Sequence, residues 1–159
     1  DQLIVDALSA GSTISHGSTG LTVAKITSAA KTLNDNGVPM DDRILLTSAA
    51  GIEDLLNEEK ATSADYATVR ALMSGELNTF MGFNIVMMET RAEGGLTLAS
   101  TTRDCFAFHK SSIGCAIGLD ISTEVNYIPE KTSWLSLGKY KAGAVTIDTA
   151  GIVKVEITE

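Results

Sequence analysis

The segment from Leu21 to Ser48, LTVAKITSAAKTLNDNGVPMDDRILLTS, constrains the fold more than any other part of the chain. Leu21, Val23, Ile26, Ala30 and Leu33 recur at helical spacing, which predicts an amphipathic helix. Ser18 or Thr19 is placed to cap its start by accepting a backbone N–H. Asn34-Asp35-Asn36-Gly37 ends it, because Gly37 takes the left-handed conformation of a helix C-terminus without steric cost. Pro39 blocks resumption. An acidic turn with one arginine, Asp41-Asp42-Arg43, then leads into an apolar run over 43–47 that suits a short buried strand.

The rest of the chain alternates short helical and extended signals. A helix is expected over 52–59 and another over 64–73, ended by Gly75. Strands are expected over 80–88, 103–108 and 120–127, with a Gly-Gly loop over 91–96. The stretch 109–119, HKSSIGCAIGL, is ambiguous: its length and the Ile113, Ala116, Ile117 spacing favour a helix, while Gly114 and Gly118 weaken one. After Pro129 a long strand is expected over 132–147. Asp148-Thr149-Ala150-Gly151 suits a hairpin turn, with 152–158 as the returning strand. The small and polar residues of 11–20 read as a connection, so 1–20 is expected to be a linker or the end of a loop. The class is α+β.

Charge narrows the function. The net charge is −8, and residues 41–100 hold ten acidic against four basic side chains. A nucleic-acid reader needs a basic stripe to neutralise phosphates, and none is present. The acidic stretch repels polyanions or is simply a solvated surface. No apolar run approaches the ~20 residues of a membrane helix, and no membrane partner is expected. Two cysteines, Cys105 and Cys115, are too few for a disulfide scaffold and sit in apolar surroundings, so buried free thiols are expected.

Candidate chemistry is thin. Cys105, His109 and Cys115 form C-x3-H-x5-C, three zinc-type ligands where a structural site uses four. A Cys-His nucleophile pair is the enzymatic reading of the same residues, opposed by apolar burial that raises a thiol's pKa. No phosphate-binding glycine motif occurs. No catalytic residue, cofactor or metal is therefore assigned. Arg43 beside Asp41 and Asp42 either pairs across a subunit boundary or pins its own turn. Trp134, the sole tryptophan, is either core or an interface anchor. Asp41, Asp42, Arg43 and Trp134 are the candidate assembly residues. Met87-Met88 is read as core on one face and a contact on the other.

Four segments in order carry a resemblance. They are Val38-Pro39-Met40-Asp41-Asp42-Arg43 after the helix, the G-x6-G-F-x-I run from Gly75 to Ile85, the run from Asp104 to Gly118, and KAGAVTIDTAGIVKVEI from Lys141 to Ile157. Together they resemble the HK97-type major capsid (coat) proteins of tailed bacteriophages, nearest to the short-tailed-phage type. The resemblance implies a spine helix and long-stranded sheet in a peripheral lobe, here 21–40 and a long hairpin over 126–159, and an axial lobe over 41–125. It implies that the chain is the part following an extended loop. It also implies self-assembly into hexamers and pentamers of an icosahedral head enclosing DNA, in the cytoplasm of an infected bacterium. Copies of itself would be the main partners, with scaffolding and portal proteins beside them and DNA in non-specific proximity. The alternatives are a nanocompartment shell of the same fold and, in another class, a small cytoplasmic enzyme using Cys105 and His109.

Overall fold

The computed structural model describes residues 2–58, 79–91 and 94–159. The helix expected over 64–73 lies outside the described residues. Among the described residues three helices, α1 (Gln2–Leu8), α2 (Val23–Asp35) and α3 (Ala49–Asn57), accompany eleven strands. These are β1 (Ser12–Ile14), β2 (Arg43–Thr47), β3 (Thr79–Phe80), β4 (Phe83–Met87), β5 (Thr90–Arg91), β6 (Gly94–Gly95), β7 (Leu98–Ala99), β8 (Thr102–His109), β9 (Ile113–Ile128), β10 (Ser133–Thr146) and β11 (Ile152–Thr158).

A seven-stranded mixed sheet runs β1-β11-β8-β2-β4-β3, with β7 attached to β8. Its central strands β2 and β8 are buried over most of their length, and β11 alternates buried with half-buried residues beyond Val153. Register assigns the faces. Ile44 stands opposite Phe108, and Leu46 opposite Phe106, so these four share one face. Leu45 opposite Ala107, and Cys105 opposite Val155, share the other. Helices α2 and α3 lie on the Cys105 face. Gly51 of α3 comes so close to β2 and β11 that a Cβ there would stand 2.5 Å from Thr47 Oγ1 and 3.1 Å from Ile157 Cδ1. The short α1 packs on the Phe106–Phe108 face through Val5.

The stop after α2 follows the expectation closely. Gly37 has φ +70°, its N–H donates to Asn34 O at 2.9 Å, and the Val38 N–H donates to Leu33 O at 3.0 Å. This is the Schellman arrangement, which satisfies two terminal carbonyls. The cap is Thr22 rather than Ser18 or Thr19, its side chain accepting from the Lys25 N–H. The start shifts because Lys25, buried on α2, donates from Nζ to the carbonyls of Thr19, Gly20 and Glu156. That holds residues 19–20 against β11, where the Thr158 N–H donates to Thr19 O at 3.1 Å.

Several expectations are revised. The linker reading does not hold for residues 2–14: α1 buries Val5 and Leu8, and β1 pairs in parallel with β11 from Ser12↔Val153 to Ile14↔Val155. The stretch 113–119 is strand, not helix. Cys115 is exposed rather than buried. The turn at 148–151 closes no hairpin, because β10 pairs with β9 while β11 pairs with β8 and β1. Thr149–Gly151 is instead a single 3-10 turn that passes the chain from one sheet to the other. The boundary expected at residue 40 also separates nothing in the packing. Ile26 and Leu33 of α2 belong to one buried cluster with Leu45, Phe83, Phe106 and Val155.

Candidate assembly surface

Beyond the body, β9 and β10 form a two-stranded antiparallel arm of 16 and 14 residues. Nearly every residue between Cys115 and Tyr127 is exposed, as is every residue from Ser133 to Lys141. In β9 the odd positions Ile113, Cys115, Ile117, Leu119, Ile121, Val125 and Tyr127 are apolar, broken only by Thr123. Opposite them in β10 stand mostly small residues: Ser136 faces Val125, Gly138 faces Thr123, Ala142 faces Ile117 and Ala144 faces Cys115. The second face is mixed. Leu135 and Leu137 sit beside Asn126 and Glu124, and Lys139 Nζ pairs with Glu124 Oε2 at 2.8 Å. Two register shifts between Lys139 and Ala142 interrupt the ladder and bend the ribbon.

An isolated two-stranded ribbon is marginal in water, and contiguous exposed apolar surface of this extent marks an interaction site. Ile121 is 76% exposed, Trp134 72% and Val145 63%. At the tip, Pro129–Lys131 forms a 3-10 turn that Thr132 closes at φ +47°. Tyr127 and Trp134 face each other across the strands with ring centroids 5.1 Å apart. The exposure of Trp134 removes its core reading. The signal for the first half of β9 was the period of two, which the glycines and the Ile113, Ala116, Ile117 spacing obscured.

The crossover after α2 is built differently. Arg43 is buried, and its guanidinium works within the chain. Nε donates to Pro39 O at 2.8 Å, and Nη2 donates to Val38 O at 2.6 Å and to Asn34 Oδ1 at 2.7 Å. The self-pinning reading is the one this geometry carries. Asp41 and Asp42 remain exposed, and Asp42 adopts φ +53° while its carbonyl accepts from the Lys110 N–H.

A third feature lies on the Phe106–Phe108 face. An open apolar groove of about 280 Å³ runs between α1 and the sheet. Ile4 and Val5, Leu46, Val86 and Phe108 line it, with Met87 at its rim, 63% exposed. Met88 also lines the groove and packs against the core, which meets the core half of the expectation, while Met87 is exposed.

The residues singled out for chemistry are not brought together. Cys105 is fully buried in β8 with its Sγ 3.5 Å from Thr47 Oγ1, and burial pushes its thiol pKa up. Cys115 lies on the arm, opposite Ala144. His109 Nδ1 meets Ser111 Oγ at 2.7 Å and caps the turn over 110–112. Among the described residues no group of three His, Cys, Asp or Glu side chains is placed to hold a metal ion. A thiol sealed in the core reaches no substrate, so the Cys105–His109 enzyme reading loses its nucleophile.

Comparison with known proteins agrees with this geometry. A sequence profile of the phage capsid protein family matches residues 2–159. A structure from Mycobacterium phage Che8 superposes with a TM-score of 0.74 at 22% identity, covering 98% of this chain and 57% of that one. The capsid of cyanophage P-SCSP1u gives 0.66 at 15% identity, covering 99% and 60%. The holo-SrpI encapsulin complex from Synechococcus elongatus gives 0.58 at 9% identity, covering 92% and 53%. The chain thus spans rather more than half the length of these three structures. Among curated proteins no sequence matches it. With the profile match extending over nearly the whole chain and the fold repeated in those shells, the chain belongs to the phage capsid protein family and carries its HK97-type fold.

Proposed function

We propose that this protein is a shell subunit that associates with copies of itself into hexamers and pentamers of an icosahedral head enclosing DNA, without enzymatic activity. One observation carries the reading: an amphipathic ribbon of two long strands stands clear of the body with both faces exposed. Such surface becomes stable when a neighbour covers it. Heterologous contacts of this kind close into rings when the rotation between copies closes. The resemblance of other members of this fold to multi-subunit particles supports the same conclusion.

The shared core of α2 with β2, β8 and β11 supports a revised division of labour. In it the described residues of the body, 2–58, 79–91, 94–112 and 147–159, form the axial lobe, and the arm, 113–146, reaches into the peripheral lobe. Asp41, Asp42 and Trp134 are the residues of this chain offered to neighbours. The subunit would assemble in the cytoplasm of an infected bacterium, with scaffolding and portal proteins as partners and packaged DNA in non-specific proximity. The likeness to an encapsulin favours a second reading, a nanocompartment shell. Nucleic acid extracted from particles purified from an infected host tests the choice: DNA supports the head, and an enzyme cargo without DNA supports the compartment.

A further inference from the structure

We infer that the Tyr127–Trp134 tip of the arm seats in the apolar groove beside α1 on a second copy of this chain. The inference rests on the self-assembly reading and names the two surfaces that meet.

Reach excludes the chain's own tip. The base of the arm is tied to α1, since Thr146 Oγ1 donates to Ala7 O, and α1 also forms a wall of the groove. From Thr146 the arm runs 14 residues to Ser133. At about 3.3 Å per residue this puts the tip roughly 45 Å from its own groove. A neighbouring copy has no such restriction.

Chemistry and charge select the match. Trp134 is the only tryptophan, is 72% exposed, and lies tilted against Tyr127 with ring centroids 5.1 Å apart. Rigid aromatic side chains of this kind anchor interfaces when they enter a desolvated pocket. The groove, at about 280 Å³, is just below the ~300 Å³ at which small-molecule pockets begin, and its lining is apolar. The arm is neutral, with three acidic and three basic residues between 113 and 146, whereas the remainder holds 17 acidic against nine basic. Body against body therefore sets like charges together, and arm against body does not. A tip in a neighbour's groove is a head-to-tail contact, the kind that repeats around a ring.

The sole tryptophan reports the contact. Met87→Glu protein, with an intact tip and a spoiled groove, is titrated with one of two dark acceptors. These are Trp134→Ala, with its groove intact, and Trp134→Ala/Met87→Glu, with its groove spoiled. Both positions are exposed, and circular dichroism confirms that each variant is folded. Sedimentation follows complex formation in the same mixtures and in the unmodified protein.

The expected result is a saturable blue shift of Trp134 emission with the first acceptor, and binding weaker by on the order of tenfold or more with the second. Equal shifts with both acceptors, or no shift with either while the unmodified protein assembles, overturn the inference and leave the assembly reading standing. An unmodified protein that stays monomeric at every concentration overturns both.

Discussion

Nη2 of Arg43 donates to Oδ1 of Asn34 at 2.7 Å, so the first residue of β2 holds the last turn of α2. The same guanidinium ties down the carbonyls of Val38 and Pro39, and the whole crossover is thereby closed on itself. Replacing Arg43 with Met keeps the bulk but removes three hydrogen bonds from a charged donor; Val38 is half-buried while Asn34 and Pro39 are exposed, so water takes up part of the loss. With roughly 1.5–3 kcal/mol typical of one hydrogen bond to a charged group, a net loss of about 2 kcal/mol is expected. Arg43→Lys recovers only part of it, because an ammonium lacks the planar fork. Urea denaturation of the three proteins measures this; an unchanged midpoint in Arg43→Met would show that the crossover needs no pin.

Acid should weaken the body. Burial pushes the Glu159 carboxyl up, but hydrogen bonds from Arg103 and Ser48 and the Arg103 charge outweigh it and hold the group below the ordinary 4.5. Glu156 is held low chiefly by its hydrogen bond from Lys154, at 2.9 Å. Both folded values are depressed, so the unfolded chain binds protons first as pH falls. Their stabilisation is complete above 4.5 and disappears as pH drops through the lower folded values. Denaturation midpoints from pH 7 to pH 3 should fall below pH 4.5, and Glu159→Gln should be less stable at pH 7 with a shallower acid dependence.

Gly51 reverses a common rule. Glycine to alanine within a helix ordinarily gains about 0.5–1 kcal/mol. Here the added methyl group would meet Thr47 Oγ1 and Ile157 under α3. Overpacking of this kind costs typically 1–3 kcal/mol, so Gly51→Ala should be less stable by about 1 kcal/mol. Thermal melting checks the sign.

The turn between β3 and β4 gives the opposite case. Met81 and Gly82 have φ +51° and +83°, and Phe80 stands opposite Phe83, so two residues with positive φ join the strands. Asparagine accepts the first of these positions better than methionine does. Met81→Asn should raise stability by a few tenths of a kcal/mol to about 1 kcal/mol, read as a higher urea midpoint; a lower one would mean that the contact between Thr27 Oγ1 and Met81 Sδ matters more.

Local signals were legible wherever one residue type has one physical use. Gly37 and Pro39 marked the end of α2 because few other residues serve there, and the apolar runs of β2 and β8 needed no partner to be recognised. Partnering was not legible. The Asp148–Gly151 turn has hairpin chemistry, yet β11 leaves β10 for β8, a choice made by the burial of Ile152, Val153 and Val155 in the core. The period of two in β9 was masked by glycines that also fit a small-residue helix. Arg43 and Trp134 each carried two readings, and only their depth separated them: one lies within the core, the other stands at the end of an arm.

Particle mass across a concentration series, by light scattering with negative-stain imaging, tests the central claim most directly. The unmodified protein is compared with one whose arm is shortened by removing 120–124 and 137–141, which leaves the tip turn in place. Rings, sheets or shells from the unmodified protein and a monomer from the shortened one are the predicted result. A strict monomer from the unmodified protein at every concentration, or equal assembly by both, would contradict it.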